Sequence, residues 1–234
     1  MLARRQREPE WMDADGVDAG ELRRSLAFIR RINALLGYTR ATLHHLKRFS
    51  AAWKPGERID VVDLATGSAD VPLAIVGWGR RRGFDVRVVG VDRHEKTVRA
   101  AREATAHEPR IRIVQSDALR LPFDAGSFDY AVCSMFLHHL SDAEAEAVLR
   151  TMGELSRRGI IAADLLRHRR AYAWISLFTL FANPIVRHDA RVSVRQAFSK
   201  AEVLALRERA GLGFATYHRH FGHRFVLAGE KAAL

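Results

Sequence analysis

Ile59-Asp60-Val61-Val62-Asp63-Leu64-Ala65-Thr66-Gly67-Ser68-Ala69-Asp70 is the stretch whose reading decides the fold. The β-branched run up to Leu64 reads as a buried strand, with an acid at its end. A tight turn of small residues around Gly67 follows, and an apolar helix runs from about Val71 to Trp78. Small residues let a ligand approach the backbone, and the start of a helix offers N–H groups that lack intrahelical partners. A nucleotide-like ligand belongs in such a crevice, at the carboxyl ends of parallel strands.

Downstream the pattern repeats. Val86–Val91 reads as a second strand, Lys96–Ala106 as a helix, Ile111–Val114 as a third strand and Tyr130–Cys133 as a fourth. Asp142–Glu154 is helical, with Ser141 and Glu144 spaced to cap its start. Gly159–Ala163 is a fifth strand, Ser199–Ala210 a helix closed by Gly211, and Ala215–His220 with Arg224–Ala228 a hairpin. This alternation predicts an α/β fold, a mainly parallel sheet with right-handed crossovers and an antiparallel C-terminal hairpin. Upstream, residues 1–20 are polar and read as a flexible arm that Trp11 and Met12 could dock. Residues 21–53 read as an N-terminal helical cap, with Leu22, Leu26, Ile29, Leu36, Leu43 and Leu46 near one face and a break at Gly37. Residues 54–234 then form the main domain, with a lid insertion at about 167–198.

The chain has 234 residues and is 48% hydrophobic, which suits one α/β domain with a sizeable core. Its single cysteine, Cys133, excludes an internal disulfide framework and a cysteine-based zinc site, and points to a reducing, cytoplasmic setting. The basic stretch Met1–Arg7 is followed by Glu8-Pro9-Glu10 instead of an apolar core, so no secretory signal is read. The apolar stretch Ala171–Val186 is shorter than the roughly 20 residues of a membrane span. Asn183-Pro184 interrupts it, and it reads as a buried or lid helix. The net charge of +11 favours anionic partners, but the arginines are scattered and punctuated by acids. Nucleic acid is therefore not the expected partner.

Three further positions fit one ligand. Asp92, followed by Arg93, closes the second strand, where a carboxylate can accept both hydroxyls of a ribose. Ser116-Asp117-Ala118 closes the third, where an acid can accept from the amino group of adenine. Ser134-Met135-Phe136-Leu137-His138-His139 closes the fourth, beside the reacting end of the ligand.

This order of motifs resembles the class I S-adenosylmethionine (SAM)-dependent methyltransferases over roughly residues 59–165. It is most similar to the group holding the ubiquinone and menaquinone C-methyltransferases and many natural-product methyltransferases. The shared features are Asp-Leu-Ala-Thr-Gly-Ser at 63–68, Gly-Val-Asp at 90–92, Asp117-Ala118 before Leu121-Pro122-Phe123, Ser127-Phe128-Asp129 and Leu-His-His-Leu at 137–140. The tail around Ser193–Phe198 and the helix with Leu26 to Asn33 are also similar. The resemblance implies a Rossmann-like seven-stranded sheet and SAM as cofactor, with S-adenosylhomocysteine as product. Ala65, Thr66 and Gly67 would hold the methionine moiety, Asp92 and Arg93 the ribose end, and Asp117 and Ala118 the adenine. Ser134 would lie near the sulfonium, and Asp63 would organise the loop. Where the family usually has three alternate glycines, this chain has Ala65, Gly67 and Ala69. The alanines are tolerable if they keep negative φ.

The expected reaction is methylation of a small aromatic, polyketide or quinone-like acceptor, on oxygen or carbon. The rivals are an RNA or protein methyltransferase, a non-catalytic SAM-binding subunit and a nicotinamide-dependent oxidoreductase. A phenol with a pKa of about 10 needs a base, and a histidine near 6.5 is suited to that. His139 is the leading candidate and His188, beside Asp189, the second. Phe136, His138, Phe178 and Arg195 are expected at the acceptor, with Trp174, Leu177 and Phe181 supplying apolar wall or ordinary core. No metal site is expected, and His218, His220 and His223 read as edge-strand polar residues. The apolar N-terminal helices could form a homodimer interface.

Overall fold

The computed structural model describes residues 2, 4–11, 20, 24, 37–221 and 223–232. Met12 and the helical pattern before Gly37, including Leu22, Leu26, Ile29 and Leu36, lie outside the described residues. In chain order the elements are α1 (Tyr38–Phe49), β1 (Arg58–Leu64), α2 (Asp70–Arg81), β2 (Asp85–Asp92), α3 (Glu95–Thr105), β3 (Ile111–Gln115) and β4 (Phe128–Ser134). They continue as α4 (Asp142–Leu155), β5 (Ser156–Leu165), α5 (Arg169–Phe178), α6 (Pro184–Gln196), α7 (Lys200–Arg209), β6 (Thr216–His220) and β7 (Arg224–Glu230).

The seven strands form one sheet in the order β3-β2-β1-β4-β5-β7-β6. The first five are parallel, and β7 runs antiparallel between β5 and β6. The expected Rossmann-like sheet with its antiparallel hairpin is what forms. Alternation along β1 sends Ile59 and Val61 into one core, with Ile75, Trp78 and Val88, and Val62 and Leu64 into the other, with Leu149, Ile160 and Phe225. Chain order reverses between β1 and β4, and that is where an open α/β sheet leaves a crevice for its ligand.

Local signals explain the helix starts. Ser141 and Ser199 each close a capping box with Glu144 and Glu202. Asn183 accepts from the Val186 N–H at 2.8 Å, and Pro184 opens the helix that follows. This cap divides the apolar stretch 171–186 into α5 and α6. In α5 only Ala171 is buried, and Ala171, Trp174, Ile175 and Phe178 line a cavity.

Residues 4–11 belong to the segment expected as a flexible arm, and here they are fastened along the domain. The Arg5 guanidinium donates to the carbonyls of Gln196 at 2.7 Å and Leu140 at 2.8 Å, pairs with Asp142 and lies 3.6 Å from the Phe198 ring centroid. Trp11 stacks on His188 at 3.9 Å. Among the described residues no helix is long and apolar enough to cross a membrane.

Candidate active site

The turn after β1 is built around Asp63. Its Oδ2 accepts from the Thr66 hydroxyl at 2.7 Å, and its Oδ1 is buried with no hydrogen-bond partner. Burial pushes the Asp63 carboxyl up, Thr66 pulls it partly back, neighbouring Asp92 pushes it further, and the result is about 7. Thr66 has room because β2 carries Gly90 opposite it: a Cβ there would lie 2.8 Å from the Thr66 hydroxyl oxygen. Asp92 accepts from the Gly67 N–H at 3.1 Å and the His94 N–H at 3.0 Å, so its carboxylate ties the turn to the end of β2.

The expectation for the alanines is overturned. Ala65 and Ala69 have φ of 55° and 62°, beside Gly67 at 56°. The turn needs left-handed residues at all three alternate positions, which costs an alanine about 1–2 kcal/mol. Ala65→Gly, at a half-exposed position, is therefore expected to raise stability by about 1 kcal/mol, or roughly 2–4 °C in melting temperature. An unchanged or lowered melting temperature would show that the turn holds no such strain.

The other cofactor candidates divide. Ser134, at the end of β4, has a buried hydroxyl oxygen with no partner. Asp117 is exposed and accepts from the Leu119 N–H at 2.9 Å, while Ala118 packs into the core. Arg93 is exposed, with its Nε 3.1 Å from His94 Nε2. A ligand rich in donors and acceptors fits this crevice, because Asp63 Oδ1 and Ser134 Oγ both lack partners at the carboxyl ends of adjacent strands.

Beyond Ser134, Met135 adopts φ of 57°, a strained turn that swings the chain into a short 3₁₀ turn, Leu137–His139. This turn forms one wall of a cavity of about 480 Å³, otherwise lined chiefly by α5, α6 and the β6–β7 hairpin. His138 is buried there. Its Nδ1 lies 2.7 Å from Asp164 Oδ1, and its N–H donates to Asp164 Oδ2 at 2.9 Å. Burial alone would lower the His138 pKa, but Asp164 and then Glu10 outweigh it and the net shift is upward. His139 goes the other way: burial and the neighbouring His138 push it down to about 3.

Glu10 enters this site from the N-terminal segment. Its Oε1 is 4.0 Å from both His138 Nε2 and His139 Nδ1 and accepts from the Ser193 hydroxyl at 2.6 Å. One ligand atom from each of Glu10, His138 and His139 lies within 4.8 Å of the others, so a carboxylate accompanies this histidine pair. Deeper in, the Arg224 guanidinium lies 3.3 Å from the Tyr38 ring centroid.

Sequence reasoning missed Asp164, Glu10, Tyr38 and Arg224. Asp164 carried a usable signal, since it lies at the carboxyl end of β5 as Asp92 does in β2. Glu10 carried none, being far in sequence from the histidines it meets.

Of the residues expected around the acceptor, His138, His139 and Phe178 line this cavity. Phe136 packs against the core instead. His188 and Arg195 lie off the cavity: His188 pairs with Asp189 at 3.0 Å under Trp11, and Arg195 pairs with Glu8 at 2.9 Å. His218 and His220 are more than edge polar residues. His45 Nε2 of α1 sits 2.9 Å from His220 Nε2, and its ring centroid is 4.5 Å from that of His218. His223 stands apart, stacked on His168. Cys133 is buried, and burial holds its thiol well above the usual range.

Residues 61–159 match the family described as a methyltransferase domain. The chain is 32% identical over 81 residues to a demethylmenaquinone methyltransferase of Staphylococcus carnosus, covering 35% of this chain and 32% of that protein. It is 33% identical over 98 residues to the demethylmenaquinone methyltransferase of Thermus thermophilus, covering 42% of this chain and 40% of that one. The chain thus matches about a third of the length of the staphylococcal relative. Many solved structures share its fold. A SAM-dependent methyltransferase from Aquifex aeolicus has a TM-score of 0.55 and 17% identity, covering 86% of this chain and 97% of that one. An O-methyltransferase family 2 protein from Planctomyces limnophilus, in complex with apigenin, has a TM-score of 0.58 and 15% identity, covering 94% and 63%. Over residues 61–159 the chain is thus similar to methyltransferase domains, and its strand order, its β1–Gly67 turn and the acid ending β2 accord with that match.

Proposed function

We propose that this chain methylates a hydroxyl or an acidic carbon of a small, apolar acceptor held in the cavity beside His138. The observation that carries the proposal is the His138–Asp164 pair, with His138 set in the wall of a largely apolar cavity next to the end of β4. SAM, when bound, supplies an electrophilic methyl group. The chain's own task is to align the acceptor and remove its proton.

Asp164 accepts from Nδ1–H and leaves Nε2 as the basic nitrogen, while holding the ring in place. His138 is therefore the base in this reading. His139, pushed down to about 3, is a poor match for an acceptor proton with a pKa of about 10. Turnover should rise with pH as His138 loses its proton, through a pKa that Asp164 and Glu10 raise from the ordinary histidine value. The direct test is transfer of labelled methyl from SAM into a cell extract. Label in the organic-soluble fraction supports the proposal. Label confined to RNA or protein sinks it.

Asp63 gives a second measurable consequence. Its carboxyl is raised to about 7, and a cationic ligand such as SAM favours its ionised form. As pH falls below 7 a proton must leave before the ligand binds, so affinity should weaken up to about ten-fold per pH unit. Asp63→Asn should bind SAM roughly ten-fold or more weakly and lose this dependence. Calorimetric titration between pH 6 and 8 measures both. A slope that survives in the Asn variant would assign the proton to another group.

A further inference from the structure

The mouth of the cavity carries apolar side chains that the core does not use. Trp174 and Phe178, one helical turn apart on α5, line the cavity together with Phe221 of the β6–β7 turn, and Leu177 and Phe181 lie next to them in the chain. Leu177 is 71% exposed, Phe181 97% and Phe221 79%. The Trp174 and Phe178 rings stack at 4.9 Å. Isolated exposed apolar residues are ordinary, but a cluster this size rimming a cavity marks an interaction site.

The charge around it has one sign. No aspartate or glutamate occurs between Asp164 and Asp189 or between Glu208 and Glu230, the two segments that build the rim. Arg169, Arg170 and Arg219 are exposed there, and among the described residues none of their guanidinium groups meets a carboxylate within 4.0 Å. Large aromatic and aliphatic side chains ringed by arginines suit the interface of an anionic bilayer, with the apolar groups at the acyl boundary and the cations at the headgroups.

We propose that this face docks on anionic lipid membranes, an inference that stands apart from the methyltransferase reading above.

The test is co-sedimentation of the full chain with phosphatidylcholine vesicles, with and without a minority of phosphatidylglycerol. Binding is expected to the anionic vesicles and to weaken with salt. Leu177→Asp and Phe181→Asp together should weaken it about ten-fold or more, and Arg169→Glu with Arg170→Glu similarly. SAM affinity and the melting curve should stay unchanged, because these side chains project from the surface. Three outcomes would overturn the proposal: no binding at low salt; binding untouched by the aspartates, which would mean adsorption by charge alone; or self-association that Phe181→Asp abolishes, which would make a second copy of this chain the occupant.

Discussion

His138→Gln is expected to lower turnover by roughly 10²–10⁴-fold while SAM affinity stays at the wild-type value. Glutamine is close to histidine in reach and can still hydrogen-bond Asp164, so the buried carboxylate keeps a partner. What the variant removes is the basic nitrogen and its tie to an orienting carboxylate. Asp164→Asn should give an intermediate loss, because the amide can hold the ring in the wrong tautomer and no longer stabilises its cation. A merely structural role for His138 would appear instead as a lower melting temperature with near-normal turnover per folded molecule. His139→Ala serves as the comparison, since burial and His138 leave that ring neutral at all working pH values. If His139→Ala is the more damaging change, the assignment of the base is reversed.

Arg5→Ala is the second substitution with a large expected effect, and it acts on the fold. The Arg5 side chain is 8% exposed. Its guanidinium serves the carbonyls of Gln196, Leu140 and His138 as well as Asp142. Truncation leaves buried acceptors without donors and empties the place over the Phe198 ring. A cost of about 2–4 kcal/mol is expected, or roughly 2–4 °C of melting temperature for each kcal/mol. Asp142→Asn should cost far less, because that carboxylate is mostly exposed. Turnover should fall as well, since the same segment carries Glu10 to the histidines. A melting temperature equal to wild type would mean that residues 4–11 contribute nothing to the fold.

These two residues mark the boundary of what the sequence reveals. The sheet was legible because β1 and β2 are rich in β-branched residues and β4 and β5 carry short apolar runs, each with an acid or small residue near its end, and because caps such as Ser141–Glu144 and Asn183-Pro184 act within four residues. His138 and His139 could be placed at the acceptor because they follow β4 directly. Glu10 and Arg5 could not be placed, since nothing local distinguishes a docked polar segment from a free one, and their partners lie more than a hundred residues away. The choice between His138 and His139 was equally hidden. It depends on which ring meets Asp164, and that follows from the parallel pairing of β4 with β5. The conformation of Ala65 and Ala69 was misjudged because the turn's geometry is imposed by the strand and helix on either side, and alanine tolerates it at a cost.

The strand order has one more consequence. The sheet ends on β3 and β6, each five residues long, and each carries an outward arginine, Arg112 and Arg219. Short, charged borders are poor templates for pairing with another chain. Hydrophobic β7, which would be a good template, is enclosed between β5 and β6. Copies of this protein that meet in solution therefore have helical and loop surfaces available to them, and the sheet does not propagate from one molecule to the next.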